Sequence, residues 1–277
     1  MTTILVPTDF SKLSKVAVSY AIGLARKMDA RIFLLSVINA TDSEEATVSW
    51  RKMQKDMIQT AQGDADKLMA EISAEKAGVS ITYKHVLGYP VVDEIEKFAV
   101  ANKINLIVMS SKGATGLRKI LIGSNAAAVI DKSSVPVIVV PEKAKFKPIK
   151  KLVYATDAKQ FQKEVKIAAE CAAMVSAGLA VLHVIPQGDL KKGKSDMVKT
   201  AKDKLTGAVK DPGIKIHVVA AKTVVDGVND FVHHHKPDLL AMFTHELGFK
   251  EKVFGRSVTR ELALGLNLPM LTFNRNK

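Results

Sequence analysis

The sequence predicts an α/β fold, with two doubly wound domains in tandem, each built on a five-stranded parallel sheet. Three observations carry that expectation. Short apolar runs alternate with segments of helical period along the whole 277-residue chain, a pattern that gives parallel strands joined by right-handed crossovers. The pattern restarts, because ILVPTDF at 4–10 returns as LVYATDA at 152–158, placing Thr8 and Asp9 on Thr156 and Asp157 at an offset of 148. The length also exceeds the roughly 100 to 200 residues usual for one domain.

In the first copy the strands are read from apolar runs at about 3–7, 32–38, 104–109 and 135–140, with the alternating VSITYKHVL at 79–87 between them. Ala17, Tyr20, Ala21, Leu24 and Ala25 form one helical stripe; Trp50, Met53, Met57, Ala61, Ala65, Leu68 and Ile72 form a longer one. Both are read as core-facing, since large apolar residues at helical spacing are far more often packing than a ligand or partner surface. In the second copy VLHVI at 181–185, DLLAMFT at 238–244 and NLPMLTF at 267–273 repeat LLSVI, NLIVMSS and SVPVIVV. The offset is 133 for the last two pairs, so the second copy has lost residues in its middle. The lysine-rich KAKFKPIKK at 143–151 reads as a linker, giving one domain over 1–144 and a second over 150–277.

With 47% hydrophobic and 25% charged residues, the chain has the balance of an ordinary globular protein rather than a disordered one. MTTILVPTDF has no basic n-region, no apolar stretch is long enough to span a membrane, and the lone Cys171 falls on an apolar helical face. A reducing cytoplasm is the expected location. The net charge of +13 raises nucleic-acid binding, but aromatics are only 5% and no basic run is interleaved with stacking residues. Solvated lysine faces explain the charge better, and neither a nucleic-acid nor a membrane partner is expected.

In doubly wound sheets ligands bind beyond the carboxyl ends of the strands, where strand order reverses. Asp9, Val37 and Ser110 are read at such ends. After strand four comes KGATGLRKILIGSNAAAVI, with Gly113 and Gly123 separated by nine residues and Ser124 following. Glycine lets the backbone approach an anion closely, and the free N–H groups of the helix that Ser124 opens suit phosphate oxygens. Each residue also has a purely structural use: Asp9 or Ser124 as a helix cap, Gly113 as a turn.

PTDFS near the start, a valine at the end of strand two and a Gly-x2-Gly-x9-Gly-Ser pattern together resemble the ATP-binding universal stress proteins, with Ser110 at the first glycine position. The resemblance implies a Rossmann-like fold and ATP or a related adenine nucleotide as ligand, with or without magnesium. It further implies that Pro7, Thr8, Asp9 and Val37 surround the adenine and ribose, that Met109, Ser110 and Gly113 shape the ribose and phosphate loop, and that Gly123, Ser124 and Asn125 hold the phosphates. It also implies association through the last strand of each domain, within the chain or as a homodimer. In the second copy the glycine positions become Phe243, Glu246 and Arg256, followed by Ser257, so that site reads as degenerate.

His233, His234 and His235 are consecutive, cannot converge on one ion from a helix, and read as a solvated helix end. His85, His183 and His217 read as half-buried, hydrogen-bonded strand residues. There is no CxxC, HExxH, GxSxG or GxxxxGK[ST]. The expected function is therefore a stress-response protein whose first domain binds an adenine nucleotide for regulation, with slow hydrolysis at most. The rival reading is a nucleotide-free interaction protein with both sites degenerate.

Overall fold

A computed structural model describes residues 2–39, 48–75, 77–111, 123–190, 194–209, 211–244 and 258–275. The chain divides into two compact units, Met1–Phe146 and Lys147–Asn276, with terminal Lys277 grouped with the first.

In unit 1 the elements run β1 (Thr2–Pro7), α1 (Lys12–Met28), β2 (Ala30–Ile38), α2 (Val48–Glu71), β3 (Ile81–Leu87), α3 (Val91–Ala101), β4 (Leu106–Ser110), α4 (Ser124–Lys132) and β5 (Val137–Val140). All strand pairs are parallel, in the order β3-β2-β1-β4-β5. Strand order therefore reverses between β1 and β4. Ile4, Leu5 and Val6 of β1 are wholly buried, as a central strand covered on both faces requires.

Helix α1 begins where Ser11 accepts a hydrogen bond from the Ser14 N–H at 3.2 Å, and ends at Asp29 in the left-handed region (φ 49°). Its predicted stripe is buried throughout, from Ala17 to Ala25. α1 and α2 share one face of the sheet and are tied by Lys15–Glu71 and by Ser19 donating to Glu75. On the other face α3 and α4 cover a core of Leu5, Leu35, Ile95, Ile107, Val129 and Val137.

The α2 stripe divides. Ala65, Leu68 and Ile72 are buried as expected, but Met53 is 44% exposed and Trp50 and Met57 are only partly covered. The whole stripe is therefore not a core face. The helix is 24 residues long and outruns the sheet beneath it, so its N-terminal half projects past the carboxyl ends of the strands.

Unit 2 repeats the plan with β6 (Lys151–Thr156), α5 (Phe161–Met174), β7 (Gly178–Pro186), α6 (Lys194–Ala208), β8 (Lys215–Ala221), α7 (Val224–His235), β9 (Leu239–Thr244), α8 (Val258–Gly265) and β10 (Met270–Asn274). Its parallel strands lie in the order β8-β7-β6-β9-β10. Helix α6 has 15 residues against the 24 of α2, which accounts for most of the residues missing from the middle of this half.

Candidate functional site

In unit 1 a cavity of about 680 Å³ opens at the carboxyl ends of β1, β2 and β4. This is the switch point of the sheet, and the volume suits a small-molecule ligand. Pro7, Thr8 and Asp9 line it from the end of β1, Val37 from the end of β2, and Met109 and Ser110 from the end of β4. Gly123, Ser124 and Asn125 line it from the start of α4. Nine of the ten sequence-selected residues thus meet around one space; Gly113 lies outside the described residues.

The turn after β1 is held by its own side chains. Thr8 Oγ1 donates to Ser14 Oγ at 3.0 Å and accepts from the Phe10 N–H at 3.0 Å, while Asp9 Oδ1 accepts from the Ser11 N–H at 3.1 Å. These bonds support Phe10 at φ 58°, a conformation a bulky residue adopts only when its surroundings fix it. The Phe10 ring lies 6.0 Å from that of Tyr83, whose hydroxyl is 2.8 Å from Ser36 Oγ. Burial pushes the Tyr83 phenol upward despite the Ser36 hydrogen bond, so it stays protonated. Asp9 is not a helix cap, since Ser11 fills that role.

At the opposite side of the cavity Gly123 is the N-cap of α4, with no side-chain cap and no acidic residue in the first turn. Ser124 is therefore the first helical residue rather than the cap. The opening N–H groups of α4 have no acceptor within the helix, and the helix dipole makes this end attractive to an anion. Gly123 is anchored by its own N–H, which donates to Ser111 O at 2.9 Å.

Sequence reasoning missed the third wall. Met53, Asp56, Met57, Thr60, Ala61 and Asp64 of α2 all line the cavity. Their spacing was visible in the sequence, but the projection of α2 past the sheet was not.

Unit 2 keeps the turn after its first strand. Ala158 N–H donates to Thr156 Oγ1 at 2.9 Å, Lys159 N–H donates to Asp157 Oδ1 at 3.0 Å, and Ala158 has φ 64°. Here the aspartate also holds an arginine. Arg275, just beyond β10, donates from Nη1 and Nη2 to the two Asp157 oxygens at 3.0 and 2.8 Å, and from Nε to Glu164. Glu164 is 1% exposed and also accepts a hydrogen bond from the Tyr154 hydroxyl. Burial raises the Asp157 carboxyl, but the hydrogen bonds and charge of Arg275, with the Lys159 N–H, outweigh it and hold the group below the usual carboxylate range. Burial, reinforced by Glu164, pushes the Tyr154 phenol far up.

Phe243, which takes the place of Ser110, stacks on Phe273 with ring centroids 4.6 Å apart and meets Tyr154 edge-on at 5.6 Å. A guanidinium and an aromatic ring thus stand at the strand ends of unit 2 that correspond to the cavity in unit 1. Glu246, Arg256 and Ser257 lie outside the described residues. Arg275 was not selected from the sequence; the one signal was that its counterpart at the 133-residue offset is the oppositely charged Glu142.

The histidines divide. His183 Nδ1 lies 2.9 Å from Thr156 O, and His217 packs against Phe231 and His235, where burial chiefly, with His235, Lys202 and Lys215, lowers its basicity. His85 is exposed beside Tyr83, contrary to the half-buried expectation, because it lies on edge strand β3. His233, His234 and His235 are exposed at the end of α7. Among the described residues no group of three or more His, Cys, Asp or Glu is placed to hold a metal ion, and no helix is long and apolar enough to cross a membrane.

The reversal of strand order between β1 and β4, with a cavity at that point, defines unit 1 as a doubly wound α/β domain. The model of the universal stress protein family matches residues 1–141 and again 148–274. The chain belongs to that family, in its tandem form. Universal stress protein MJ0531 of Methanocaldococcus jannaschii is 35% identical over 144 residues, which is 51% of this chain and 83% of that protein. Universal stress protein MJ0577 of the same organism is 29% identical over 154 residues, 50% of this chain and 94% of that one. A crystal structure of a universal stress protein from Archaeoglobus fulgidus covers 99% of this chain and 98% of its own, with a TM-score of 0.73 at 20% identity, a likeness of fold.

Proposed function

We propose that unit 1 binds ATP or a related adenine nucleotide in the switch-point cavity, and that occupancy regulates the protein in a cytoplasmic stress response. The observation that carries this reading is the convergence of Asp9, Val37, Ser110, Gly123 and Ser124, chosen from the sequence, on one cavity beside the uncapped start of α4. The base and ribose would lie between the β1 and β2 ends, with the phosphates on the N–H groups of α4. Serine at position 110 faces the cavity without closing it. Magnesium, where it accompanies the nucleotide, would neutralise phosphate charge at the α4 side of the cavity. The proposed output is binding rather than turnover.

Calorimetric titration of ATP, ADP and AMP into nucleotide-stripped protein, with and without magnesium, tests the proposal. One site per chain is expected, weakened in both Asp9→Ala and Ser124→Ala. No binding heat and no ligand-induced rise in melting temperature would overturn it. A second reading is favoured for unit 2 alone: with Arg275 and Phe243 at its strand ends, that half acts as a nucleotide-free interaction domain.

A further inference from the structure

We propose that Asp56 sets the base specificity of the unit 1 site, selecting a purine with an exocyclic amino group at C6 over one with a carbonyl there. The inference rests on the nucleotide reading above and extends it to a helix that the family resemblance did not single out.

The cavity is electrostatically polar. Its α4 side presents the opening N–H groups of a helix, which have no acceptor within it, and the positive end of the helix dipole, with no acid in the first turn. The α2 side, on the opposite face of the sheet and above β2 and β3, presents Asp56, Thr60 and Asp64 among the methionines Met53 and Met57. A nucleotide has one anionic end. Its phosphates belong at α4, which turns the base toward β2 and α2.

The chemistry of the α2 wall matches that end of the ligand. The Thr60 hydroxyl spends its proton on Asp56 O at 2.8 Å, so it faces the cavity with acceptor capacity only. An ionised carboxylate is likewise acceptor-only. Asp64 is partly committed to Lys67 at 3.4 Å, whereas the Asp56 carboxylate has no hydrogen-bond or ion-pair partner among the described residues. Thioethers offer a polarisable surface for a flat ring. A wall of this kind accepts the amino group of adenine and repels the C6 oxygen of hypoxanthine.

ATP and ITP carry identical phosphates and ribose, so their affinity ratio isolates the base. Titration of each into the stripped full-length protein should show ATP binding on the order of tenfold more tightly, the worth of one hydrogen bond to a charged acceptor. In Asp56→Asn the side-chain amide can donate to the C6 oxygen, and the ratio should fall to about one through weaker ATP and stronger ITP binding. Asp66→Asn, ten residues further along α2 and not lining the cavity, should leave the ratio unchanged. Equal affinity of the wild type for ATP and ITP, or a ratio that survives Asp56→Asn, overturns the role of Asp56 while leaving nucleotide binding intact. Failure of both nucleotides to bind overturns the nucleotide reading itself.

Discussion

Replacing Arg275 with methionine keeps most of the side-chain volume and removes the only cation that bridges Asp157 and Glu164 among the described residues. The Arg275 side chain is 7% exposed and that of Glu164 1%, so the substitution leaves a buried carboxylate with Tyr154 as its remaining polar neighbour. Breaking a buried ion pair from one side costs about 3–5 kcal/mol. The Tyr154 hydrogen bond and the partial exposure of Asp157 place the expected loss near the lower end. For a unit of this size, about 3 kcal/mol lowers the melting temperature by roughly 10 °C. Differential scanning calorimetry with urea titration provides the assay. Adding Glu164→Gln should restore a substantial part of the loss, because the stranded charge is then gone. The wild-type advantage also depends on pH. The Asp157 carboxyl is depressed in the folded protein, so its contribution is complete above the unfolded value of about 3.9 and disappears as pH falls through the lower folded value. The difference between wild type and Arg275→Met should hold from pH 7 to about pH 5 and contract below about pH 4. A loss of under about 1 kcal/mol, or a double variant as unstable as their summed losses, would refute the view that Arg275 is an internal ligand.

Two further outcomes follow from packing and burial. A Cβ at Gly227 would stand 2.5 Å from Val184 Cγ1 and 3.0 Å from Ala221 Cβ, whereas one at Gly63 meets nothing within 4 Å. Gly227→Ala should therefore destabilise unit 2 by about 1–3 kcal/mol despite its better helix propensity, and Gly63→Ala should stabilise unit 1 by up to about 1 kcal/mol; melting curves in which both substitutions shift stability in the same direction would contradict this. Burial, with Glu170 nearby, pushes the Cys171 thiol up to about 11. Alkylation at pH 8 should run roughly a hundredfold slower than for a free thiol and recover on unfolding in urea; labelling of the folded protein at the free-thiol rate would refute it.

The tandem pattern, the parallel strands and nine of the residues that line the cavity were legible in the sequence because each depends on short-range order. Strand runs, helical stripes and the interval from Gly113 to Ser124 are properties of neighbouring residues, and parallel α/β topology follows from their alternation. The α2 stripe shows where that reasoning stops. Met53 and Met57 share the period of Leu68 and Ile72 but wall a cavity, because helix length relative to strand length decides which turns lie over the sheet. Caps were equally hard to place. Ser11 and Gly123 open α1 and α4 where Asp9 and Ser124 were also able to, since the choice rests on dihedral angles one or two residues apart.

What the sequence determined by itself was the family, the repeated doubly wound plan and the decay of the second glycine loop. The tertiary structure alone decided what stands at that second site. Arg275 and Asp157 are 118 residues apart, and only the parallel order of β6, β9 and β10 carries the end of the chain to the end of the unit's first strand. Long-range ion pairs have no period, so nothing in the linear pattern joins that arginine to that carboxylate. The same holds for Asp56, whose place opposite α4 comes from two helices covering opposite faces of one sheet.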